Sequence, residues 1–128
     1  MSIKFKAVQK ANPRKLDDPK KHYATAISAG LVDLDTLTKR IARRSTTVSD
    51  IDIMAVLKAL THEIAYSVEA GETVHLGDLG YFHITLKSKG QDSAKAVSAG
   101  DIEAAKVRFV AGKELEAVLK TAQFEKES

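Results

Sequence analysis

The chain has 128 residues, 44% of them hydrophobic, no cysteine and a formal net charge of +3, values that exclude a disordered chain, a disulfide framework and thiolate metal sites. No apolar run approaches the roughly 18–20 residues of a membrane span, and the start Met1-Ser2-Ile3-Lys4-Phe5-Lys6 lacks the apolar stretch of a signal peptide, so the expected compartment is the cytoplasm. The charge is uneven: residues 1–44 carry 11 Lys/Arg against 4 Asp/Glu, residues 45–86 carry 1 against 6, and residues 87–128 carry 8 against 7; a basic first third suits a polyanion and equally suits a solubilised surface.

Residues 3–11 alternate apolar and basic side chains, the period of a strand. Lys4, Lys6 and Lys10 share one parity there, so one strand face presents three positive charges, and Arg14, Lys15, Lys20 and Lys21 extend them; a solvated edge strand guarded by lysines is the alternative reading. Asn12-Pro13 breaks the pattern and residues 16–19 read as a loop. Residues 21–28 read as a second strand pairing with the first, with a short helix as the alternative.

From residue 34 the period changes. Leu34, Leu37, Ile41 and Ala42 fall on one helical face after Asp33, a good N-cap type, and Lys39, Arg40, Arg43 and Arg44 complement the negative helix end. Ser49, three residues before Asp52, starts a long helix that stops at Gly71. Ile53, Leu57, Leu60 and Ile64 form one seam, while Met54, Val56 and Val68 lie off it. A helix apolar over so much of its circumference is buried on several sides. With seven aromatics and no Trp in a short chain, a second subunit is the natural cover.

Residues 72–76 and 81–86 are strand-like around a tight linker, Gly77-Asp78-Leu79-Gly80. Residues 88–101 are poor core material and read as an exposed arm or loop. Residues 106–110 alternate again as a third strand, with Leu79, Phe82 and Phe109 expected beneath the sheet. Ala111-Gly112 turns into a final helix bearing Leu115, Val118, Leu119 and Ala122, and residues 125–128 are expected to fray.

No catalytic constellation emerges. His62-Glu63 lacks the second histidine of a zinc-protease helix, because Tyr66 stands in its place. His75 and His83 can meet across the hairpin, but two histidines fall short of the three or four ligands that zinc takes. No catalytic residue, metal, cofactor or small-molecule substrate is expected.

Three strings are more specific: Ala70-Gly71-Glu72-Thr73-Val74, Leu76-Gly77-Asp78-Leu79-Gly80-Tyr81-Phe82, and residues 107–115, Val-Arg-Phe-Val-Ala-Gly-Lys-Glu-Leu. In this order, after a short and a long helix, they resemble the HU/IHF family of bacterial histone-like proteins over roughly residues 33–120. The N-terminal segment is similar to that of a longer HU-related subfamily with two added strands. The resemblance implies an α+β, HU/IHF-like fold: a helical pair, a three-stranded antiparallel sheet with an arm, a C-terminal helix, and an extra N-terminal β-hairpin. The expected organisation is a hairpin extension over 1–30, a DNA-binding domain over 31–124 and a frayed tail over 125–128. The resemblance further implies an intertwined homodimer, with Ile53, Leu57, Leu60, Ile64, Phe82 and Phe109 at its interface, and double-stranded DNA as partner in the nucleoid. Lys87, Lys89, Lys95, Arg108 and Lys113 are the expected phosphate contacts of arm and saddle, with Lys4, Lys6, Lys10 and Arg14 as those of the extension.

The family's arm carries an Arg-x-Gly-Arg-Asn-Pro motif that residues 87–104 do not repeat; they contain neither arginine nor proline. Gly90 stands among three lysines, diluted by Asp92, Asp101 and Glu103, so phosphate contact is expected without a proline wedge. The competing reading is an HU-like dimeric scaffold for protein–protein interaction.

Overall fold

The computed structural model describes residues 1–11, 14–15, 17–44 and 47–127. The chain divides into two compact units: residues 1–33 with 118–128, and residues 34–117.

The first unit is a three-stranded sheet. β1 (Ile3–Lys10) pairs antiparallel with β2 (Lys21–Ala26), Phe5 opposite Ala26 and Lys10 opposite Lys21. The Asn12-Pro13 break lies outside the described residues. Tyr and Thr in β2 favour the pleated state over the alternative short helix. A C-terminal strand over residues 124–126 adds parallel to β1 on its other edge, with Ile3 beside Phe124. Side chains alternate across the sheet. Ile3, Phe5, Ala24, Ala26 and Phe124 therefore line an apolar groove on one face, and the lysines of β1 occupy the other.

The second unit begins with α1 (Leu34–Arg44) packed on α2 (Asp50–Glu69). Ser49 caps α2 by accepting from the Asp52 amide at 3.1 Å, which satisfies one of the orphan donors of the first turn. Thr38 is the most buried polar residue, donating to the Leu34 carbonyl at 2.7 Å and lying 3.8 Å from the Met54 sulfur. Of the expected seam, Ile53 is buried and Leu57 and Ile64 are half-buried, whereas Leu60 is exposed. Ile51, Val56 and Tyr66 on the same helix stand open to solvent. Among the described residues, no helix is long and apolar enough to cross a membrane.

After Gly71 comes β3 (Val74–His75), a turn at Gly77–Leu79, and β4 (Gly80–Ser88); β5 (Ile102–Ala111) completes the sheet in the order β3-β4-β5, all antiparallel. One face carries Val74, Phe82, Ile84, Leu86, Val107 and Phe109, the two phenylalanine rings 5.0 Å apart. Two glycines fix where the ribbon turns. Gly80 holds φ +143°, and a Cβ there would run into the Val110 carbonyl and the Phe109 ring; a Cβ on Gly112 would meet the Asp78 carbonyl. α3 (Lys113–Lys120) follows at once, and after it comes the C-terminal strand of the first unit, β6 (Phe124–Lys126).

Several expectations change. β3 is two residues long, not five, because Leu76 already donates to the Gly80 carbonyl to close the turn. β5 starts at Ile102, earlier than the alternation at 106–110 indicated, since Ala104 and Ala105 pair as well as any residue when the partner strand supplies the ladder. Leu79 is 47% exposed rather than packed beneath the sheet. The final helix ends at Lys120, short of Ala122. The tail expected to fray at 125–128 instead enters β6 through Glu125 and Lys126, because the open edge of β1 offers it hydrogen bonds; Ser128 lies outside the described residues.

Candidate functional site

Strand register sorts the polar face of the second sheet. His83 stands opposite Arg108, Thr85 opposite Lys106 and Lys87 opposite Ala104, while His75 stands opposite Tyr81. Cross-strand partners share a face, so Lys87, Lys106 and Arg108 emerge together, away from the Phe82–Phe109 side. No carboxylate occupies a registered position on this face between His75 and Lys87. His75 stacks on Tyr81 with ring centres 4.7 Å apart, and Tyr81 lies 5.7 Å from His83. The two histidines therefore flank the tyrosine instead of meeting, and among the described residues no group of three or more His, Cys, Asp or Glu can hold a metal ion.

The ribbon closes in a folded tip. At the Lys87/Ser88 bulge the register shifts, and the Lys87 ammonium lies 3.9 Å from the Glu103 carboxylate. Lys89 donates its amide to the Asp101 carbonyl at 2.9 Å, and short turns at Ala94–Ala96 and Ala99–Asp101 follow. Asp101 is the hub of this tip: its buried carboxylate accepts from the Ser98 amide and the Gln91 side-chain amide, both at 2.9 Å. The hydrogen bond from the Ser98 backbone, then that from Gln91, hold the Asp101 carboxyl below the usual carboxylate range against the opposing effect of its burial. Lys95 sits on the exposed side of the first turn. Lys113 opens α3, where the helix dipole favours anions, but Glu114 and Glu116 share its first turn.

In the first unit, Lys4, Lys6 and Lys10 do share one face of β1. Lys6 faces Thr25, Lys4 has Glu125 beside it in β6, and Lys10 stands directly opposite Lys21. Like charges placed opposite each other repel, so the Lys10–Lys21 pair gains from any anion that settles between them. Arg14 stands in the connection between β1 and β2 and already has an interaction of its own.

A family model described as "HU domain fused to wHTH, Ig, or Glycine-rich motif" matches residues 1–126. The chain belongs to this HU-HIG family. Among solved structures, it is similar to a putative bacterial DNA-binding protein from Bacteroides vulgatus, with a TM-score of 0.68 at 14% identity over 98% of this chain and 48% of that one. It is also similar to the HU of Anabaena in a cocrystal with DNA, with a TM-score of 0.54 at 20% identity over 70% of this chain and 99% of that one. The HU-HIG chain thus spans about half the length of the Bacteroides protein. No curated protein matches its sequence.

The site residues read from the sequence fall into four groups in the HU-HIG chain: Lys87 and Arg108 on the sheet face, Lys89 and Lys95 in the tip, Lys113 at the start of α3, and the β1 lysines with Arg14 in the connection that follows. Sequence reasoning missed Lys106 and Thr85. Parity was the available signal, since Lys106 and Arg108 are two apart in a strand and must share a face.

Proposed function

We propose that this HU-HIG protein binds double-stranded DNA as a homodimer with little sequence specificity, chiefly through phosphate contacts. The observation that carries this reading is the polar face of β4 and β5, where Lys87, Lys106 and Arg108 stand together without a registered carboxylate. Lysine and arginine contacts to phosphates position a protein but read no bases. The β1 lysines supply a second, separate basic face. Residues 87–104 contain no proline and no arginine, so intercalation at an arm tip is not part of this mode.

The homodimer is supported by exposed apolar surface. The chain exposes 11,014 Å², whereas two separate compact bodies of the same total mass would expose about 8,000 Å². Taken over two chains, the surplus is of the size that a large obligate interface removes from water. Ile53 is the sole buried hydrophobic residue among those described, and Ile51, Val56, Leu60 and Tyr66 leave much of α2 uncovered. The seam residues with Phe82 and Phe109 are the proposed interface.

A gel shift with random-sequence duplex at about 50 mM salt tests DNA binding, and affinity should fall steeply as salt rises. Absence of a complex at that salt removes the reading. Solution molar mass, with and without duplex, tests the dimer. The second reading, an HU-like scaffold for protein partners, is favoured by the tip, where Glu103 engages Lys87 and Asp101 is turned to structural use. Changing Lys87, Lys89 and Lys113 together to Glu separates the two: unaltered DNA affinity would reject the sheet-and-tip mode.

A further inference from the structure

The cationic sheet face carries two side chains whose charge is conditional. His75 and His83 lie on the same face as Lys87, Lys106 and Arg108, one on either side of Tyr81. The groups that face them are known from the register. From β5, Arg108 stands directly opposite His83, with Lys106 and Val110 on the diagonals; from β4 come Tyr81, Thr85 and Lys87; Glu103, beyond the ribbon's bulge, is engaged with Lys87. Neither imidazole has a hydrogen bond or ion pair with a described residue. A histidine kept for structure normally gives or accepts one. Here His75 stacks on Tyr81 and His83 meets the same ring at a tilt, contacts that leave the ring nitrogens available.

A phosphate chain lying across this face attracts every cation beneath it and favours a proton on an imidazole there. We propose that His75 and His83 belong to the polyanion-contacting face and engage DNA as imidazolium cations, so that binding is coupled to proton uptake. This rests on the DNA-binding reading above. The sign follows from linkage: a group that gains a proton on binding makes binding stronger as pH falls. Imidazole is the side-chain type that changes charge between about pH 5 and 8, and two imidazolium ions would take the face from three cations to five.

The test is duplex affinity of the full chain by fluorescence anisotropy at pH 6, 7 and 8, over a series of salt concentrations. The wild-type protein should bind on the order of tenfold tighter at pH 6 than at pH 8, which is the size that one unit of coupled protonation carries. Its salt slope should steepen at pH 6 by up to about 1.8 per chain. His75→Gln with His83→Gln should flatten the pH profile. His75→Lys with His83→Lys should flatten it too, but at high affinity. His22→Gln with His62→Gln should keep it. Proton NMR of the wild-type imidazoles, which needs no variant, should show the His75 and His83 titrations moving to higher pH when duplex is added. A flat wild-type profile alongside firm binding, or a profile that survives the Gln pair, overturns this proposal and spares the DNA reading; no complex at any pH overturns both.

Discussion

Both three-stranded sheets set an apolar face against a basic one, yet they make the basic face from different materials. The sheet of β1, β2 and β6 presents lysine ammonium groups, with Lys10 against Lys21 and Glu125 beside Lys4. The sheet of β3, β4 and β5 mixes Arg108 with Lys87 and Lys106 and adds Thr85, Tyr81 and two histidines, with no registered carboxylate among them. Ammonium groups are compact, strongly hydrated charges on flexible stems, whereas guanidinium is a planar fork that matches phosphate with two parallel hydrogen bonds. The first face is thus an electrostatic attractor of loose geometry, and the second is suited to hold a backbone in place. Net charge, which is modest for the chain as a whole, conceals both.

That contrast can be broken most readily by charge reversal. Lys106→Glu with Arg108→Glu should weaken duplex binding on the order of a hundredfold at low salt, measured by anisotropy. Neutralising Lys4, Lys6 and Lys10 to Gln should cost on the order of tenfold; the opposite ranking would move the main contact to the first sheet. Gly112→Ala forces a Cβ onto the Asp78 carbonyl and should destabilise the second sheet by about 1–3 kcal/mol, read by urea denaturation. Glu103→Gln releases Lys87 from its exposed partner. Exposed pairs contribute at most about 1 kcal/mol, so duplex affinity should rise only about twofold to threefold, with a salt slope steeper by about 0.9. The smallest effect concerns the tip. Because hydrogen bonds lower the Asp101 pKa, its contribution to order is present above the ordinary carboxylate value near 4 and is lost as pH falls through the lowered one. Hydrogen exchange of the Ser98 amide should accelerate there, and Asp101→Asn should reproduce the acceleration at neutral pH.

Much of the fold was legible because period carried it. The lysine alternation of residues 3–10 and the seam of Ile53, Leu57 and Ile64 depend on local spacing, and both elements formed where that spacing put them. What escaped depended on distant partners. Phe124-Glu125-Lys126 is too short to show a period, and only the open edge of β1 makes it a strand. Ala104 and Ala105 have little strand preference, and they pair because Leu86 and Lys87 lie opposite. Of the candidate site, Arg108 was found from its motif string and Lys87 from its place near Gly90 in the arm. Lys106 was not, because it lies just outside that string; parity with Arg108 would have found it. The tip was misjudged for a third reason: Gln91, Ser98 and Asp101 look like solvated loop residues until the side chains converge on one carboxylate.

The parallel pairing of Ile3 with Phe124 joins residues far apart in the sequence. Closing so long a loop is costly in entropy and slow relative to local contacts. During synthesis β1 and β2 emerge before β6 and must wait for residues 124–126 before their sheet is complete, while residues 34–117 form a compact unit of their own. The first sheet is therefore the late-assembling part of the molecule. A nascent chain stalled before residue 124 would present β1 with a free edge, the moment at which this protein is most open to pairing with the wrong strand.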